Sequence, residues 1–411
     1  MPIGLGADLL SRPLQTRLSD DTWFWGVAAF LLGLLSVLKG LRLPSLWAAT
    51  QAQLDYHDGF IKRGLFGSIA RLAAIPIRHY DTFLTLSALL LAGFLVLLVW
   101  WVRKSGAGRI ANGTVVALFA ASFIVTYFAH LIGYLEIPSG ILALAALLAS
   151  GTRARLAIVL LAGLGGVLLH ENYVLTFLPL TLLPLFLAAL DSRTPRRDFG
   201  MLAAVAVLIG SVVVIEASAA PMDAQRVAHL QGSITSAVDF HPRDDFFAVM
   251  TRSAGDNVSI MLQTMGKRAW WAAQLNACAV FLPAIAFFLW IALRIVGSSG
   301  CAHARVARIA VMVAALCPLL LQLVGWDIYR WYALAAFNSF IAMTIVGRQY
   351  GPASALPQAT RNVALLLVAI NMATGTGLFD GYRVDTFPFI EHWRALFDWF
   401  GGGHHWLPPP V

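Results

Sequence analysis

Long apolar runs separated by short charged clusters recur along the whole of this 411-residue chain, and they restrict it to one kind of solvent. Eleven runs are close to the length of a hydrocarbon core: 23–41, 82–102, 110–133, 137–150, 155–170, 172–190, 201–219, 270–293, 307–325, 331–346 and 362–379. A spanning helix needs about 17–25 apolar residues. Only 12% of the residues are charged and 59% are hydrophobic, where a soluble domain carries about 25% charged residues. No water-soluble core of this size hides so much apolar surface, whereas a bilayer accepts it. The expected fold is therefore all-α, a polytopic bundle of about 11 spans in a single transmembrane domain covering 1–411. The segment before Trp23 is mostly polar and has no small-residue cleavage site, so the first run reads as a retained span rather than a signal peptide.

Charge sets the expected orientation. With the N-terminus in the cytoplasm, the inner connections carry 15 basic and 5 acidic residues, and the outer ones 14 basic and 16 acidic. That is the positive-inside pattern, and it puts the C-terminus outside. Acids contribute little to topology, so their collection on one face points to something the outer surface does. Three outer segments are substantial: 42–81, 220–269 and the tail 380–411, whose Trp393, Trp399 and Trp406 suit the headgroup region.

Several function classes drop out. The net charge of +8 is scattered between apolar runs rather than gathered into a patch, which argues against nucleic acid. Cys278, Cys301 and Cys317 have neither disulfide nor zinc-ligand spacing. There is no phosphate-binding glycine loop, no dinucleotide fingerprint and no HExxH pattern. No cofactor and no metal site is expected; a divalent metal has no support in the residues. No span carries an acid or base near its middle, and no internal repeat is visible, unlike most ion-coupled transporters.

Three clusters at the outer span ends could carry chemistry. The first loop contains Asp55 and Asp58, followed at once by Lys62 and Arg63. Arg63, Arg71 and Arg78 would share one face of a helix, with Leu65, Ile69, Leu72 and Pro76 opposite, which predicts an amphipathic helix lying in the interface. It would anchor on anionic lipid, or its arginines would clamp a phosphate. His170-Glu171-Asn172 marks the end of the fifth run; three polar groups there are costly against lipid and must face the bundle or a wet cavity, unless they are a plain hairpin turn. Asp327 and Arg330 join the ninth and tenth runs and either pair with each other or bind substrate. Glu136 is a further acid at a span end on the same face.

A bundle of about 11 spans with a long acidic first outer loop and an interfacial helix resembles the GT-C superfamily of membrane glycosyltransferases. It is also similar to bacterial polysaccharide polymerases of the Wzy and EpsG type. The resemblance rests on layout and on Asp55 to Gly64, where the acids are spaced Asp-x-x-Asp rather than as the Asp-x-Asp or Asp-Glu pair of many GT-C members. It implies a polyprenyl-phosphate-linked glycan donor, a glycan or lipid acceptor, and a site outside a bacterial cytoplasmic membrane. It also implies a catalytic acid at Asp58 or Asp55, with Glu171 as a further catalytic candidate. Arg63, His170, Asp327, Arg330 and Glu136 would bind substrate. A flippase or exporter of the same glycans, or a non-catalytic subunit of an assembly complex, would share the layout.

Overall fold

The structure is a computed structural model that describes residues 20–57, 59–192, 194–218, 221–351, 358–373 and 396–401. Among these residues there is no strand. The chain begins with α1 (Asp20–Gly40), then α2 (Leu46–Ala52) and α3 (Leu65–Leu72) in the first long connection, then α4 (Tyr80–Ser105). A 3-10 turn, Ala107–Gly113, leads into α5 (Thr114–Ala121) and α6 (Phe123–His130), followed by α7 (Glu136–Leu148) and α8 (Thr152–Leu169). Next come α9 (Tyr173–Thr176), α10 (Leu178–Leu190) and α11 (Pro195–Ser218). The second long connection holds α12 (Ala224–Ala237), α13 (Asp244–Met250) and α14 (Ala254–Met265). The bundle closes with α15 (Arg268–Ser298), α16 (Ala304–Leu316) with its 3-10 extension Cys317–Leu323, α17 (Ile328–Tyr350) and α18 (Gln358–Ala373). The tail segment 380–411 lies outside the described residues except for 396–401.

Five stretches are long and apolar enough to cross a membrane: Trp23–Gly40, Tyr80–Ser105, Pro195–Ile215, Arg268–Ser298 and Ala304–Leu323. Their outward faces are bare: Phe30 is 71% exposed, Val96 67% and Val207 67%. Apolar surface of that extent in water would drive association, so it belongs against acyl chains. Of the other apolar runs, 331–346 lies within the 23-residue α17, and several of the rest lie on shorter helices; breaks occur in both groups. The run 110–133 breaks at Ser122, whose hydroxyl caps α6 by accepting from Ile124 N. The run 172–190 breaks at Phe177, just before Pro179. The run 307–325 passes into the 3-10 extension at Cys317-Pro318.

Helix α17 is the centre, and every residue from Trp331 to Val346 is buried. Most polar atoms of its side chains find partners, the buried Asn338 Oδ1 excepted. Ser339 Oγ donates to Ala335 O in its own helix (2.7 Å). Thr344 Oγ1 receives Trp101 Nε1 from α4 (2.9 Å). Asn338 Nδ2 reaches two other helices, donating to Thr176 O (2.6 Å) and Ala314 O (3.0 Å). Ala314 O would normally accept from residue 318, but Pro318 has no N–H. The asparagine supplies the donor the proline removed.

The two long connections fold onto each other as a cap over one end of the bundle. Ala48, Ala49, Ala52, Ala70 and Ile77 enclose Phe240, while Leu54 and Ile61 pack with Met222, Val227, Phe246 and Phe247. Thr50 Oγ1 accepts Arg243 N (3.0 Å), and Asp239 Oδ1 accepts Tyr80 N (2.9 Å). The expected amphipathic helix carrying three arginines on one face is not formed. Helix α3 ends at Leu72, and the chain turns through left-handed Ala74 (φ 53°), so Arg78 leaves the helix. Arg63 precedes α3 and is itself left-handed (φ 63°). Only Arg71 of the three lies on α3, while Ile69 and Leu72 project outward. Gly64 and Gly67 support this packing rather than weakening it. A Cβ at Gly67 would overlap the Leu54 carbonyl, and one at Gly64 would sit 2.5 Å from the Tyr56 ring.

Candidate functional site beneath the cap

The site starts with a tight reversal. At Gly166 a Cβ would overlap the Tyr173 ring, so only glycine lets α9 fold back onto the last turn of α8. His170 then stands at the C-terminus of α8 in extended backbone (φ −160°), and Glu171 and Asn172 form a turn in which Asn172 already has helical angles and leads into α9. Two carboxylate–guanidinium clusters meet beside this turn.

In the first cluster Arg63 Nε donates to Glu171 Oε2 (2.9 Å) and Nη2 to Glu171 Oε1 (2.5 Å), a two-pronged grip. A left-handed non-glycine residue costs about 1–2 kcal/mol, so the fork is held against backbone preference. His170 Nδ1 lies 3.3 Å from Glu171 Oε2 and 3.2 Å from Asn172 N. A neutral Nδ1 accepts from the backbone N–H, whereas a protonated one donates to Glu171. Burial pushes the Glu171 carboxyl up, but Arg63 and then His170 outweigh it and hold it well below the ordinary carboxylate range.

In the second cluster Arg330 Nη1 lies 3.3 Å from Glu136 Oε1 and 3.2 Å from Asp327 Oδ2. The guanidinium is 4.8 Å from the centre of the Tyr134 ring, a cation–π contact. Glu136 is buried in the first turn of α7, where the helix dipole favours negative charge. Arg63 also feels the charges of Glu136 and Arg330, so the two clusters form one electrostatic unit. Three carboxylates and two guanidiniums leave it one negative charge in excess while His170 is neutral.

A small cavity adjoins the unit, lined by Glu136, Ser139, His170, Asn172, Tyr173, Thr176 and Phe177, with about 170 Å³ of empty space counted out to its mouth. Two buried polar atoms on its wall, Glu136 Oε2 and Ser139 Oγ, have no hydrogen-bond partner. Each such group costs roughly 1–3 kcal/mol unless a ligand or water meets it.

Six of the eight residues expected to carry the site therefore come together: Arg63, Glu136, His170, Glu171, Asp327 and Arg330. Asp55 is placed differently. Its carboxylate accepts His57 N (2.9 Å) and Arg71 Nη1 (3.2 Å) on the cap surface. Asp58 lies outside the described residues. Ser139 and Tyr173 were not expected. Ser139 follows Glu136 by one turn on the same face of α7 and could have been found that way, whereas nothing in the local sequence separates Tyr173 from an interfacial tyrosine. Among the described residues no group of three or more His, Cys, Asp or Glu side chains is arranged to hold a metal. Comparison with protein-family models, with curated proteins and with solved structures finds no match to this chain.

Proposed function

We propose that the chain is a membrane glycosyltransferase or polysaccharide polymerase that takes a polyprenyl-phosphate-linked sugar on the extracytoplasmic side of a bacterial cytoplasmic membrane. Its 11 spans run N-in and C-out, and its acceptor is a glycan or a lipid. The observation that carries this reading is the pair of arginine forks, Arg63 and Arg330, held on carboxylates beneath a cap and beside a cavity with unmet polar atoms. Guanidinium forks match phosphate oxygens as well as carboxylates. Preorganised cations in a water-poor site favour charge that develops on a leaving group.

In this reading Arg63 and Arg330 receive the donor's phosphate. A carboxylate takes the proton from the acceptor hydroxyl, whose oxygen bonds to the anomeric carbon. The bond from that carbon to the phosphate oxygen breaks, and its electron pair leaves on the phosphate. Asp58 is assigned as the base because Asp55 is engaged by Arg71; Glu171, which holds Arg63 in place, is the second candidate once phosphate draws Arg63 away. General base help of this kind contributes about 10²–10⁴-fold.

The test is transfer of radiolabelled sugar from a polyprenyl-phosphate donor in membranes carrying matched amounts of each variant. Asp58→Asn should lower product by about 10²-fold or more, and Arg63→Lys should give a milder loss because charge remains while the fork is lost. Normal product from Asp58→Asn, Glu171→Gln and Arg330→Gln alike removes the enzyme reading. Donor carried across a vesicle membrane without transfer would make the chain an exporter instead.

A further inference from the structure

At the end of the bundle opposite the cap, three cations gather around the turn between α7 and α8. Lys104 of α4 donates Nζ to Leu148 O (2.6 Å) and Ser150 Oγ (3.3 Å). Arg155, in the first turn of α8, donates Nη2 to the neighbouring carbonyl, Ala149 O (3.0 Å). Arg348, in the last turn of α17, lies close enough to Arg155 for the two guanidiniums to repel each other. Among the described residues none of the three forms an ion pair with a carboxylate. Asp191, an acid at the same end, accepts instead from Gln349 (3.4 Å) and the Cys301 thiol (3.7 Å). The Nε of Arg155 is buried and has no hydrogen-bond partner.

Like charges held together by backbone carbonyls, with a donor left over, fit an anion that carries several acceptor oxygens. The surroundings choose its source. Arg348 stacks over Trp101 at 5.8 Å, and Lys104 lies 6.0 Å from the ring of Trp100 one turn earlier on α4. Trp100 is 54% exposed on a stretch apolar enough to span a membrane, so the open side of the cluster faces lipid at headgroup height. We propose that Lys104, Arg155 and Arg348 bind the phosphate of an anionic phospholipid, whose acyl chains lie alongside Trp100. The site is independent of the transferase reading and would exist in an exporter as well.

The test uses native mass spectrometry of the full chain in mild detergent, titrated with phosphatidylglycerol, with phosphatidylcholine, or with inorganic phosphate as competitor. Retained phosphatidylglycerol is expected on the unaltered chain, with little phosphatidylcholine. Each lost guanidinium should weaken retention about five-fold, and Arg155→Gln with Arg348→Gln together roughly thirty-fold. The double change to lysine should recover most of the binding. Arg196→Gln with Arg197→Gln, at the start of α11 on the same end, should leave it unchanged. Should the double glutamine variant fail to fold, the exposed Arg348→Gln alone still predicts the five-fold loss. Equal loss from the Arg196/Arg197 variant, equal retention of both lipids, or displacement by inorganic phosphate would each overturn the proposal.

Discussion

The two ends of the bundle treat charge in opposite ways. Beneath the cap each cation of the site meets a carboxylate: Arg63 meets Glu171, and Arg330 meets Glu136 and Asp327. At the other end Lys104, Arg155 and Arg348 meet carbonyls and indole rings. The capped charges are fixed by specific partners in a poorly solvated place, so removing one strands another. The open charges are each held by groups that do not depend on a second charge, so removing one strands nothing. Burial with a partner makes a charge structural and directional, whereas exposure without one makes it a handle for the surroundings.

The largest expected effect follows from that difference. Arg330→Ala leaves Glu136 buried and unpaired, and loss of one partner from a buried pair costs about 3–5 kcal/mol. Arg348→Ala at the open end should stay within about 1 kcal/mol. Thermal unfolding of both variants in the same detergent measures the gap, and equal losses would erase the contrast between the ends. Next in size is Gly67→Ala, which drives a Cβ into the Leu54 carbonyl, a backbone atom that does not yield. Overpacking of this kind costs about 1–3 kcal/mol, and limited proteolysis should find the cap loosened while the open end stays resistant.

Acid should act on the buried ion pair of the capped end. Glu171 has a folded-state pKa held well below its ordinary value of 4.5. Its ion pair therefore contributes stability that is fully present above that value and is lost as pH falls through the lower, folded one. Unfolding measured from pH 7 downward should be flat to about pH 5 and then decline, and Glu171→Gln should remove that part of the decline. The smallest effect is expected from Arg71→Gln. The Arg71–Asp55 pair is exposed, with Arg71 at 47%, and such pairs contribute about 0–1 kcal/mol. A loss as large as that of Arg330→Ala would mean the cap surface is as tightly organised as the site below it.

How far the sequence discloses this differs between the two kinds of feature. The apolar runs are local, and most of their described residues lie on helix, with breaks at positions such as Ser122 and Phe177. Glu171, Glu136, Asp327 and Arg330 stand out for a local reason too, because a charge at the end of an apolar run demands an explanation. The Asp327–Arg330 pair was legible from its spacing of three residues, but the pairs that join distant elements were not. Arg63 and Glu171 are separated by 108 residues, and nothing near either one specifies the other. The amphipathic pattern of the first loop misled because periodicity predicts a helix without stating where it stops. The left-handed turn at Ala74 stops α3 after two turns, and Pro76 two residues on is the one local sign of that stop. Local sequence is equally silent on Gly67 and Gly166, which are points of close contact between elements.

The amide of Asn338 has a consequence for how the bundle can be assembled at all. Its two hydrogens are divided between a carbonyl at the α9–α10 break and the one that Pro318 leaves without a donor on α16. Sliding α16 along α17 by a single residue, about 1.5 Å, brings the amide opposite a carbonyl already satisfied within its own helix. The apolar side chains around it tolerate many alignments of nearly equal energy, as oil does. The asparagine and the proline together accept one. They work as tooth and notch, so that a greasy interface with no preferred alignment of its own acquires a single stop position, and neither residue has that meaning without the other.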